Sequence, residues 1–420
     1  MISFLFSPED DKNASLSMMD LLSILLIISL PLSAFSSTLF GYVSLLLLLV
    51  SIVCLVKNWN SISISSSEKL FFVGSCAFPV SIALNMWVFN NWQWSLLDNP
   101  SRLILVLPIF LFMANTKVNP IWLCIGIILS ACIFGLSAAY QNIYIGVPRA
   151  YGWISKLNSP ITFGNAALLL SVLSIATYPF LKPYLGFRYA VLIVFVTAGL
   201  AAYACLLSGT RGGWVSVPFL AMIFFLGGPK LGVFKIYTLL TIFILFFLAY
   251  MTLDIVSARI DSAWLELSNM FSNRTFTRGS VGARLEMWWA AILIVLAEPL
   301  WGVGLGGYYD AKLGLIEQGI IGSNLSHFGY AHNEPIHYFA EMGLMGLVPL
   351  LGFYFTSVML IIKRISVSKN LAIMAALVLL LRFDISLTQV QFIYNYTTLF
   401  YAMMFAMIAG LMCNPRYQGS

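Results

Sequence analysis

Apolar residues arrive along this chain in blocks of roughly 20, each long enough for a helix to cross a bilayer, and short polar breaks separate them from one end to the other. The alternating pattern of barrel strands is absent, so the blocks read as helices whose backbone groups are satisfied within each segment. By length they predict about twelve spans, near 20–36, 39–56, 69–89, 101–114, 120–140, 160–181, 189–207, 213–228, 235–253, 336–361, 371–388 and 393–412. One long polar stretch interrupts the series. It divides the chain into 1–253 with the first nine helices, a large loop at 254–335, and 336–420 with the last three. That loop is rich in Trp, Gly and Arg, which predicts an ordered segment. Inside it "RLEMWWAAILIVLAEPLWG" (Arg284 to Gly302) has a short apolar core and paired tryptophans, the pattern of an interfacial or re-entrant helix.

Composition agrees with the pattern. With 60% hydrophobic residues, 9% charged residues and a mean hydropathy of +0.92, no water-soluble fold of this length could hide its apolar surface. The expected fold class is therefore an all-α polytopic membrane protein. None of the six cysteines lies in the long loop, and no disulfide framework is expected. Glu9, Asp10 and Asp11 stand where a secretory signal would be basic, so the first apolar block is read as a retained span. No tandem repeat is apparent, and "NSISISSSEK" reads as a short loop.

Charge gives the chain a direction. With the N-terminus inside, the short inner loops hold ten cations, Lys57, Lys69, Lys117, Lys182, Arg188, Lys230, Lys235, Lys363, Arg364 and Lys369, against Arg102, Arg149, Lys156 and Arg211 outside. This bias obeys the positive-inside rule and places both termini in the cytoplasm. The kind of cation also changes, because the outer face with its long loop adds Arg259, Arg274, Arg278, Arg284 and Lys312 and so is dominated by arginine. A guanidinium fork binds phosphate oxygens bidentately and stays charged, which points to an outer phosphate site. The plainer reading is arginine snorkelling at lipid headgroups.

Three outer segments share a layout. "LSGTRGGWV" sets Thr210 and Arg211 before the eighth span, "TRGSVGARLEMWW" sets Arg284 at the start of the interfacial helix, and "YAHNEPIHYF" sets His332 and Asn333 before the tenth span. Asn333 suits an N-cap and Pro335 a first turn. Helix N-termini offer free N–H groups and partial positive charge, so two arginines beside them would hold a pyrophosphate without a metal.

All three histidines of the chain, His327, His332 and His337, lie within eleven residues. Beside Glu334 and Glu341 they invite a metal, but their spacing of five does not suit helical ligands, and no metal is expected. His337, one turn inside the tenth span, reads as a structural histidine, and His327 has no distinguishing context. His332, at the junction of loop and helix, is the candidate base. "GVGLGGY" (Gly302 to Tyr308) lacks the strand and helix of a dinucleotide loop and reads as a tight turn. Arg382 and Asp384 sit inside the eleventh block, two apart, so each needs a partner on another element; structural pairing and function both stay open. No nucleophile elbow, Ser-His-Asp spacing or acidic pair for a nucleotide-sugar metal appears, and no cofactor or nucleic acid is expected.

At these residues the sequence resembles bacterial O-antigen ligases. "HNEPIHYFAEMGLMG" fits a pattern of His332-Asn333, nine residues, Gly343, two residues and Gly346, and the "SGTRGGW" arginine, the "ARLEMWWAA" arginine and the "EPLWGVGLGGY" turn match in order. The likeness is specific over about Ser208 to Leu347, with Leu347 standing where threonine is frequent in the family. It implies a C-superfamily glycosyltransferase fold with twelve transmembrane helices and a large periplasmic loop, in the bacterial inner membrane. The implied reaction moves O-polysaccharide from undecaprenyl pyrophosphate to a hydroxyl of the lipid A-core, without metal and with inversion. Arg211 and Arg284 would hold the pyrophosphate, with Thr210 and Asn333 beside them, and His332 would assist deprotonation of the acceptor or position the donor. Rival readings are an O-antigen polymerase using the same donor, a protein-glycosylating relative, and, in a different class, a twelve-helix transporter or flippase.

Overall fold

The computed structural model describes residues 18–152, 159–210 and 280–417, with scattered positions between 244 and 268. Every regular element bounded among the described residues is helical. In chain order they are α1 (Met18–Leu32), α2 (Ser37–Lys57), α3 (Ser66–Val88), α4 (Trp94–Leu105), α5 (Leu107–Asn115), α6 (Ile121–Ile143), α7 (Pro160–Ala176), α8 (Tyr178–Ser208), α9 (Ser280–Ala297), α10 (Tyr308–Glu317), α11 (Glu334–Met342), α12 (Leu344–Arg364), α13 (Lys369–Ser386) and α14 (Asn395–Cys413).

Eight stretches among the described residues are long and apolar enough to cross a membrane: Met18–Phe35, Ser37–Lys57, Ser66–Val88, Trp94–Asn115, Ile121–Ile143, Tyr178–Ser208, Leu344–Arg364 and Asn395–Cys413. The chain is a multi-pass membrane protein. Four of the twelve sequence blocks are not in that set. The blocks at 213–228 and 235–253 fall almost wholly outside the described residues. The block at 160–181 becomes α7, an apolar helix of 17 residues. The block at 371–388 becomes α13, which carries Lys369, Arg382 and Asp384 in 18 residues.

Local chemistry sets the boundaries. Ser65 caps α3 reciprocally with Glu68, and Ser159 accepts from Thr162 N at the head of α7, where Pro160 fills the first turn. Within Tyr178–Ser208 the backbone breaks at Gly186, with φ of +73°, between the two blocks that the sequence separates at 182–188. The block at 336–361 breaks too, at Gly343, where φ is +60° and ψ −152°. His337 therefore lies on the short α11 that precedes the span, and not one turn inside it. A Cβ on Gly343 would run into the Leu300 carbonyl, and one on Gly302 into the Glu341 carbonyl, so the two glycines let two turns pack backbone to backbone. "GVGLGGY" is the turn expected of it, but a helix does follow, contrary to the sequence reading: the turn comes after α9 and leads directly into α10, whose first residue is Tyr308.

α14 is the central helix, with 89% of its spanning stretch buried. Rings pack around it, Phe40 edge-on to Phe400 at 5.7 Å and Tyr396 stacked on Phe400 at 5.6 Å. One end of the bundle is tied by side chains: Arg364 Nη2 to Glu68 Oε1 at 2.6 Å, Asn414 Nδ2 to the carbonyls of Met113 and Thr116 at 3.1 and 2.8 Å, and Tyr417 OH to Val118 O at 2.6 Å. The opposite end carries α9 to α11.

Replacing Gly343 by Ala forces an L side chain into a positive-φ, occupied site, a strain of about 1–3 kcal/mol before the clash is counted. The expected outcome is a clear fall in the thermal midpoint of the detergent-solubilised protein, while Gly314→Ala, whose Cβ meets nothing, leaves it within error.

Candidate active site

The turn that carries His332 is built by its neighbours. Asn333, extended at φ −153°, caps α11 by accepting from Ile336 N at 3.1 Å, and Pro335 occupies the first turn, as the sequence predicts. Its amide also donates to Leu387 O at 3.2 Å, which ties the cap to the loop after α13. Ala331, fully buried, packs in a cluster with Ala291, Ile294 and Val295 of α9. Glu286 Oε1 of α9 accepts from Gly322 N at 2.7 Å, so α9 holds the segment leading to His332 at two places. This is how Arg284, on the same helix, comes near the imidazole.

His332 sits between these anchors with φ of +52°, left-handed for a residue that is not glycine. Its ring lies 4.5 Å from that of Tyr330 and 5.6 Å, edge-on, from that of Phe328. Tyr330 is in turn hydrogen-bonded to Tyr394, and the Phe328 carbonyl accepts from Lys312 Nζ, which also donates to Leu325 O at 2.7 Å. Burial, then the charge of Arg284, then that of His337, push the His332 imidazole down to about 4. It is a neutral imidazole at pH 7, beside a cation that disfavours its protonation.

The other expected site residues fare differently. Arg211 lies outside the described residues, as do Lys156, Arg259, Arg274 and Arg278. Thr210 is buried, and its hydroxyl donates to Pro160 O at 3.0 Å while accepting from Ser208 Oγ at 2.9 Å. Its bonds run to α7 and α8. Asn333 is likewise committed to its cap and to Leu387. His337 is buried, with Nε2 3.6 Å from Glu341 Oε1 and its ring edge-on to Tyr308 at 5.2 Å. His327 is exposed and rests on Phe328 at 4.0 Å. No group of three or more His, Cys, Asp or Glu suited to a metal occurs among the described residues.

Three residues that sequence reasoning left aside hold the arrangement together. Glu334 Oε2 accepts from Gln391 N and Phe392 N at 2.6 and 3.0 Å, and its Oε1 is 2.9 Å from Arg382 Nη2. Arg382 thus finds the partner on another element that its place in an apolar block demands. Glu341 accepts from the backbone N–H groups of Gly306 and Tyr308. Asn85, in the apolar α3, donates to Trp301 O at 3.0 Å and accepts from Leu305 N at 2.9 Å. An amide inside a spanning block and an acid in a helix's first turn were the signals on offer, but neither reveals its partner.

The His332 turn and the residues expected of the site from the sequence fall in one stretch of chain similarity. Residues 193–351 match the O-antigen ligase family. The match takes in Thr210, Arg211, Arg284, His332, Asn333, Gly343 and Gly346. The family is one of membrane enzymes of the ligase and polymerase type. An uncharacterized protein of Haemophilus influenzae is 25% identical over 331 residues, covering 78% of this chain and 81% of its own. The two glycines of the family pattern have a physical reason here: Gly343 ends α11 against Leu300, and a Cβ on Gly346 would crowd Met342 and the Tyr338 carbonyl.

Asn333→Ala removes both the cap and the tie to Leu387, and a loss of about 1–2 kcal/mol is expected. Asn333→Asp keeps the acceptor for Ile336 N and loses only the donor, so its thermal midpoint should fall between those of the wild type and the Ala variant.

Proposed function

We propose that this protein is an O-antigen ligase, transferring O-polysaccharide from undecaprenyl pyrophosphate to a hydroxyl of the lipid A-core at the periplasmic face of the bacterial inner membrane. The observation that carries the reading is the pairing of a neutral imidazole with a guanidinium at the head of α11, inside the stretch that matches the O-antigen ligase family. The distribution of lysine and arginine along the sequence supports the periplasmic placement. In this reading the lipid carrier, the core acceptor and the surrounding lipids are the partners, the fold is that of the C-superfamily glycosyltransferases, and neither metal nor nucleotide takes part.

The chemistry follows from the groups. Arg284 and Arg211 hold the diphosphate and stabilise the negative charge that grows on it as the anomeric C–O bond breaks. The acceptor oxygen attacks the opposite face of that carbon and forms the new glycosidic bond, so the configuration inverts. The hydroxyl proton passes to His332, and undecaprenyl pyrophosphate leaves. A base held near 4 in the free enzyme is a weak one, but the bound diphosphate brings negative charge beside the imidazole and raises its basicity. Donor binding therefore readies the base.

The test combines purified protein, lipid-linked polysaccharide and core lipid with chelator and without nucleotide. Ligated core lipid is expected; growth of polymer on the lipid carrier alone would instead make this a polymerase. His332→Ala and Arg284→Lys should each lower turnover at least tenfold while membrane insertion is kept, the range typical of losing a positioned base or a bidentate anion contact. A base must be proton-free to act, so kcat/KM should fall as pH drops through about 4. The acid limb of kcat should lie at higher pH, because it reports the enzyme with the diphosphate bound.

A further inference from the structure

We infer that Glu334 and Arg382 are positioning residues for His332, joined in a buried strut that fixes the turn on which the imidazole stands. The inference rests on the catalytic reading of His332 given above and extends it to two residues outside the expected site.

The strut answers a local need. His332 holds a left-handed backbone that L side chains adopt at a cost, so the conformation has to be imposed by what flanks it. On its C-terminal side the next two residues are both fastened to the segment after α13: Asn333 to Leu387 O, and Glu334 to Gln391 N and Phe392 N. Glu334 has no exposed surface, and its second oxygen meets Arg382 at 2.9 Å. Arg382 projects from the last turns of α13, with its guanidinium 4.8 Å over the Phe392 ring. One carboxylate therefore joins the head of α11, the 391–392 backbone and α13.

The same segment also reaches the imidazole through Tyr394, which bonds Tyr330, whose ring lies against His332. The C-terminal fastening of the turn and the Tyr330 ring both trace back to residues 387–394, while Phe328 flanks the imidazole independently. Arg382 also borders a cavity of ≈ 20 Å³ lined by Ser75, Thr398 and Tyr401, and it is the one charged side chain in that lining. Glu334 is the carboxylate that meets this guanidinium. A buried ion pair is weak support for stability alone, since an apolar pair of like volume often replaces it without loss. What such a pair does supply is direction. Glu334 accepts two backbone N–H groups on one oxygen and holds the other in an ion pair with Arg382, and a displacement of about 1 Å at a reacting group can cost 10²-fold in rate.

The decisive experiment is a set of double-mutant cycles in the reconstituted transfer assay, with lipid-linked polysaccharide and core lipid as substrates. Glu334→Gln and Arg382→Lys are each made alone and combined with His332→Ala, and kcat and donor KM are measured for all. Each single variant should lower kcat at least tenfold with little change in donor KM, and should lower it no further when His332 is already Ala. Equal losses in both backgrounds would show a general structural effect and overturn the positioning role, as would wild-type kcat in Glu334→Gln. Should Glu334→Gln fail to accumulate, Arg382→Lys decides, because it keeps the charge facing the carboxylate. Full turnover by His332→Ala removes the catalytic reading itself, and that result is separate from additivity in an impaired His332→Ala background.

Discussion

A carboxylate with no access to solvent governs the architecture around α11. Withdrawing Glu334 from water costs several kcal/mol, so the fold must surround it with donors or neutralise it. Two backbone N–H groups and the Arg382 guanidinium meet that demand. The consequences spread outward. The 391–392 turn must stay beside α11, α11 must meet the Gly302–Gly307 turn through Glu341, and that turn must meet α3 through Asn85. Three polar side chains, each placed where an apolar residue would be simpler, string the loop helices onto the membrane bundle.

Much of this was legible in one sequence, for reasons that differ between elements. Spans such as Ser37–Lys57 and Asn395–Cys413 announce themselves by length and apolarity, which a bilayer demands irrespective of tertiary contacts. The Asn333 cap and the "GVGLGGY" turn follow from local chemistry, and the structure has both. The break at Gly343 was hidden, because a single glycine within an apolar block fits a continuous helix, and only the close approach of Leu300 makes it a stop. Partnerships were hidden more deeply. That Arg382 needs an acid was readable; that the acid is Glu334, almost fifty residues earlier and in a helix's first turn, is a fact of tertiary structure. Thr210 adds partners of the same hidden kind: its hydroxyl bonds Pro160 and Ser208, which the sequence does not reveal.

The features around His332 all pull toward the neutral imidazole in the unliganded protein. Aromatic rings and burial favour the neutral imidazole, and Arg284 opposes its protonation further. In the proposed reaction this bias has a use. An arginine near a base protects it from idle protonation, and the incoming diphosphate screens that arginine when a proton has to be moved. The same guanidinium serves as anion receptor and as regulator of the base.

The lacing of the far end, from Arg364 to Glu68 and from Asn414 and Tyr417 to the end of α5 and the residues just after it, has a mechanical corollary. With the α9–α11 end strung to the bundle by Glu334, Glu341 and Asn85 as well, the helices are cross-linked by polar side chains at both ends, so their mutual register is held by directional bonds and not by apolar packing alone.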